Sequence, residues 1–177
     1  MNAEELLKSY NLNLSSIDYL TRENKSIEAL LENLSKDEKM ILVSIYIHKM
    51  DISQIKNNMQ YEKSQLNELK KEAIKKLDKI INNNSIEKKN VEEWLSKYVI
   101  NIDTVTYLAR LNNSIDNMLN TILPIEKQIL VLRYFENKSV SQLKMILQYS
   151  AKSIYNYKVS ALKKINYILN PISMEGE

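Results

Sequence analysis

Between Ser139 and Met174 the chain carries Lys144, Lys152, Lys158, Lys163 and Lys164 but no Asp or Glu. Ammonium groups with no acid among them suit a polyanion, because each can neutralise a phosphate and release its counterions. Interleaved with them are Ala151, Ser153, Tyr155, Asn156 and Val159. Ser and Tyr hydroxyls commonly hold phosphate oxygens, and an Asn amide can bond adenine in bidentate fashion. An earlier stretch offers Lys63, Ser64, Gln65, Asn67, Lys70 and Lys71, diluted by Glu62, Glu68, Glu72 and Asp78. No arginine lies on either stretch, which leaves strong guanine readout without its usual side chain.

Other chemistries find little material. The chain has no cysteine and one histidine, so zinc fingers and thiol nucleophiles are excluded and a disulfide-built fold has no support. Glu4-Glu5 and Glu92-Glu93 are sequence neighbours and point to different faces of a helix, so neither pair can work as acid and base. The one glycine, Gly176, cannot form a phosphate-cradling loop. The expectation is a non-enzymatic protein without cofactor or metal. The stretch MNAEELLKSY has acids where a secretory signal would be basic, and MILVSIYI is too short to span a bilayer, so no membrane is expected and a cytoplasmic location fits. The net charge of +3 says less than its distribution.

The elements that must position the basic stretches are helices. One glycine and two prolines leave few turn-formers for hairpins, and most apolar-periodic stretches exceed strand length. Laying Asn2 on Asn90 aligns the chain with itself without gaps, with roughly 30 identities over about 80 positions. Glu4/Glu92, Tyr46/Tyr134, Tyr61/Tyr149, Lys70/Lys158 and Lys75-Lys76/Lys163-Lys164 are among them. The reading is all-α, two tandem repeats of a five-helix unit, over 1–84 and 85–177. Asn82-Asn83-Asn84-Ser85 reads as a helix end and linker, with Ser85 a candidate cap.

Aligned copies cross-check the boundaries. Ser35 to Glu38 has the form of a capping box, and Pro124, opposite Lys36, is a favoured first helical residue. Asp51 to Gln54 and Ser139 to Gln142 mark a second start. Asn13 and Asn101 are expected to cap a helix reaching about residue 33 and its equivalent, after a short helix opening at Asn2 or between Ser85 and Asn90. The last helix has the stripe Leu66, Leu69, Ala73, Ile74, Leu77 and Ile80, matched by Ile154, Tyr157, Ala161, Leu162, Ile165 and Ile168. Ile55 and Met59, or Leu143 and Leu147, complete a three-helix core with Ile41, Leu42 and Ile45, or Ile129 and Leu130.

A short helix, a tight turn and a longer helix with a basic outer face can place that second helix in a DNA major groove. The segment LPIEKQILVLRYFENKSVSQLKMILQYSAKSIYNYKVSALKKI resembles region 4 of bacterial sigma factors, with its Leu-Pro helix start, "VLRYF" helix and "ALKKL" ending. The helix-turn-helix would fall at about 36–81 in the first repeat and about 124–169 in the second. No sigma region 2 is recognisable, so the plan resembles a doubled version of small phage or mobile-element regulators rather than a complete sigma factor. The resemblance implies a transcription regulator that reads double-stranded DNA, with RNA polymerase as a further partner. It implies base-facing Ala151, Lys152, Ser153, Tyr155, Asn156 and Val159 with Lys158 flanking, and Lys63, Ser64, Gln65, Asn67, Glu68 and Lys71 with Lys70 flanking. Lys144, Lys163 and Lys164 join them as phosphate contacts. The alternative is a helical interaction protein that docks on polymerase, a sigma factor or a regulator without reading DNA.

Family turns often carry glycine where this chain has Gln60 and Gln148, so a left-handed residue there would cost about 1 kcal/mol. Ser150 is a better cap for the last helix than Glu62. Tyr61 and Tyr149 are read as packing at the turn, Trp94 as core, and His48, opposite Glu136, as a surface residue.

Overall fold

The structure, a computed structural model, describes residues 2–83 and 90–171. Its elements are α1 (Ala3–Leu31), α2 (Lys36–Leu42), α3 (Ile52–Met59), α4 (Lys63–Asn83), α5 (Val91–Leu119), α6 (Pro124–Leu130), α7 (Val140–Leu147) and α8 (Ala151–Leu169). A π-helical turn continues α2 over Val43–Ile47, and another continues α6 over Val131–Phe135. No strand occurs among the described residues, and no helix there is long and apolar enough to cross a membrane.

Starts fall where local hydrogen bonding requires them. Asp51 and Ser139 accept from the Gln54 and Gln142 amides, and those glutamines accept from the cap backbones in return. Ser35 and Glu38 form the same reciprocal box, and Pro124 opens α6. Asn2 and Asn90 accept from the Glu5 and Glu93 amides at the starts of α1 and α5. Ser85 lies outside the described residues.

The expected break at Asn13 and Asn101 does not occur. α1 runs through Asn13 and α5 through Asn101, giving four α-helices per repeat instead of five. Both asparagines are buried and use their side chains across the helix pair rather than on their own backbone. Asn13 donates to Asn112 at 2.8 Å, and Asn101 donates to Asn24 at 2.9 Å and to Glu23 at 2.9 Å. With neither Gly nor Pro nearby, nothing else interrupts the helices.

Two compact units result, and each draws on both sequence repeats. One comprises Asp18–Val105, the other Met1–Ile17 with Thr106–Glu177. In the first, Ile27, Leu31, Ile41, Leu42, Ile55, Leu66, Ala73 and Leu77 share a core with Val91 and Leu95 of α5. In the second, Ala3, Leu6 and Leu7 of α1 are buried with Ile115, Leu119, Leu130, Ala161 and Ile165. Ile129, Leu132, Leu143 and Ile154 form an adjoining cluster beneath the α7–α8 turn. Packing therefore divides the chain differently from the repeat boundary between 84 and 85. The stripes fall as read except at Ile168, which is exposed near the end of α8.

Truncating Leu7 to alanine should cost about 2–4 kcal/mol. Its amide hydrogen-exchange effect should appear in residues 106–171, and that of Leu95→Ala in residues 18–83. Loosening of 36–83 by Leu7→Ala would contradict the exchanged packing.

Candidate nucleic-acid interface

The two turns have the same build. Gln60 (φ 56°) and Gln148 (φ 57°) each end the short helix in the left-handed conformation expected there, and their amides bond back to Lys56 and Lys144. Ser150 caps α8 by accepting from the Ser153 amide at 3.1 Å. Glu62 instead receives help from Gln65, whose side-chain oxygen accepts from the Glu62 amide at 2.9 Å. Gln65 is thereby partly committed to the helix start.

A buried carboxylate fixes each long helix to the helix two elements earlier. Glu126 in α6 is 1% exposed and accepts from the Leu123 amide, from Ser160 at 2.7 Å and from Lys164 at 2.8 Å. Glu38 does the same in the other unit with the Ser35 amide and Lys76 at 2.5 Å. Burial pushes the Glu126 carboxyl up, but the bonds from Lys164, Ser160 and the Leu123 amide outweigh it and hold the group below the usual carboxylate range. The Lys76 bond leads in lowering Glu38, against the opposing effect of burial.

These clamps sort the expected contacts. Lys164, read from sequence as a phosphate contact, spends its charge on Glu126. Lys70 stands 3.5 Å from Glu92, with its ammonium 5.3 Å from the Tyr46 ring centroid. Left exposed on α8 are Ala151, Lys152, Tyr155, Asn156 and Lys163, with Ser153, Lys158 and Val159 half-buried beside them. Positions 152, 155, 156, 159 and 163 recur at helical spacing and make one stripe. Lys144 is exposed on α7. In α4, Lys63, Ser64, Gln65, Asn67, Glu68 and Lys71 are exposed, so that face mixes both signs.

The aromatic residues follow their expected roles in part. Tyr61 donates to Asp37 at 2.6 Å, which ties the turn to α2. Tyr149 packs edge-on against Tyr157 with centroids 5.7 Å apart yet remains exposed. His48 is exposed, and Trp94 is half-buried against the core.

One cation was missed from sequence. Arg133, in the π turn, lines a cleft of about 270 Å³ together with Ala151, Tyr155 and Lys158 of α8. The arginine absent from the long helix is supplied from the π turn that continues α6. Its signal was the replacement of the apolar Ile45 by Arg133 between Ser44-Ile45-Tyr46 and Leu132-Arg133-Tyr134 of the aligned repeats. Comparison of the chain with protein-family profiles, curated proteins and solved structures finds no match.

Replacing Glu126 by glutamine should cost about 2 kcal/mol at neutral pH. A depressed folded-state pKa gives stability that is present above the ordinary carboxylate range and lost as pH falls through the folded value. Urea titrations should therefore show the gap between the two proteins closing below about pH 4. A gap independent of pH would exclude the ionised clamp.

Proposed function

We propose that the chain is a DNA-binding transcription regulator whose sigma region 4-like helix-turn-helix, built on α7 and α8, reads duplex DNA in the major groove. The observation carrying this reading is the exposed, acid-free stripe of α8, where Lys152, Tyr155, Asn156 and Lys163 stand together behind a capped turn. Asn156 is the candidate for adenine readout, while Lys152, Lys163 and Lys144 suit backbone phosphates. Arg133 adds the planar donor set that α8 lacks. α4 is a weaker reader, because Glu62, Glu68 and Glu72 repel the same backbone its lysines attract. No step of this reading uses a cofactor or catalysis.

A second reading, a helical module that docks on polymerase, a sigma factor or another regulator, is favoured by one observation. Met145 and Ile146 are exposed on α7, at 74% and 49%, where the first repeat has Asn57 and Asn58. Exposed apolar neighbours of this kind suit a protein partner.

Fluorescence anisotropy with genomic duplex fragments at two salt concentrations separates the readings. DNA binding should weaken steeply with salt, and Lys152→Glu should lower affinity about tenfold or more while leaving a protein partner's affinity unchanged. Absence of binding at low salt would remove the DNA reading.

A further inference from the structure

A second cleft, of about 390 Å³, shares Arg133 and Lys158 with the first and lies between α1, the Val131–Phe135 turn and α8. Lys8, Arg133 and Lys158 line it with Glu4, Asn11 and Tyr134. Three cations against one carboxylate leave two positive charges facing one space. Glu4 holds Lys8 at 3.1 Å and also lies near Lys158, so a single acid serves two of the three. Arg133 donates one bond to the Lys138 carbonyl at 3.0 Å, which fixes its guanidinium and leaves most of its donors over.

The other unit provides an internal control. Glu92, Tyr46 and Lys70 repeat Glu4, Tyr134 and Lys158, and there the ion pair of Lys70 and Glu92 is balanced. At the positions of Lys8 and Arg133 stand Ser96 and Ile45. The shared trio is thus explained by packing the long helix onto its neighbour. The two added cations are not, and they occur only in the unit whose α8 lacks acids.

We propose that the Lys8–Arg133–Lys158 cleft is a phosphate-binding site, taking a phosphate group either as the diester of a DNA backbone or as a free inorganic anion. A guanidinium and two ammoniums can surround tetrahedral phosphate oxygens with charge-assisted bonds. The site extends the polyanion footprint from α8 to α1, outside the helix-turn-helix. The DNA arm rests on the proposed function, whereas the free-anion arm does not.

The test uses the full chain in two arms. In the first, inorganic phosphate is titrated at constant ionic strength and amide NMR signals are followed. Saturable shifts should centre on Lys8, Arg133, Tyr134 and Lys158, and Arg133→Gln should weaken the apparent affinity about tenfold. In the second, Lys8→Gln should lower duplex affinity and reduce the salt slope by about one. Lys8 lies on no helix-turn-helix element, so a loss there is specific to this cleft. Phosphate shifts without any DNA binding would support the site as one for a free anion and remove the DNA reading instead. Unsaturable shifts spread over lysines generally, together with unchanged DNA affinity in Lys8→Gln, would overturn the site while leaving α8 as a reader.

Discussion

A buried primary amide is costly unless it is paired, and four such asparagines set the arrangement of this chain. Asn13 meets Asn112, and Asn24 meets Asn101. Asn112 and Asn24 also donate to the Tyr10 and Tyr98 carbonyls, so the two sets repeat each other with the roles of the long helices exchanged. Satisfying these amides requires α1 and α5 to be continuous through them and to run antiparallel within each unit. Polar groups at apolar helix seams fix register in the same way elsewhere. Once that register is set, Ala3, Leu6 and Leu7 share a core with Ala161 and Ile165 of α8, and Val91 and Leu95 share one with Leu66, Ala73 and Leu77 of α4.

Much of this was legible, because the devices involved are local. The starts of α2, α3 and α7 follow from side chains three residues apart, those of α6 and α8 from Pro124 and Ser150, and the core stripes follow from helical spacing. The continuity of α1 was not legible. An asparagine that could cap a helix and one that pairs across a seam look identical until the partner is in place. The same holds for the exchange of helical segments, since two repeats with equivalent sequences supply equivalent apolar faces to either core. Lys164 and Lys70 were read as free charges because their acids, Glu126 and Glu92, are distant in sequence.

Comparing the repeats separates scaffold from surface. Glu38/Glu126 with Lys76/Lys164, the four asparagines, and the Glu–Tyr–Lys trios are kept in both units, and each is used inside the fold. Most of what differs lies at the surface: Asn57-Asn58 against Met145-Ile146, Glu62 against Ser150, half-buried Ser96 against Lys8, and exposed Arg133 against Ile45, which packs on its core. A shared framework thus carries two unlike faces, one of mixed sign and one basic with apolar neighbours. The buried clamp matters to both, because it ties the long helix to the helix two elements earlier while leaving the outer stripe unconstrained.

Because α1 serves both units, the order in which the chain is made differs from the order in which it packs. Residues 18–105 possess their whole unit as soon as the first half of α5 has emerged. Ala3, whose amide bonds to the Asn166 side chain across a separation of 163 residues, must wait for α8. At typical synthesis rates that interval is on the order of ten seconds. During it, Leu6 and Leu7 are apolar side chains on a helix already anchored at its far end. The late-formed unit is then the one a nascent-chain chaperone would meet first.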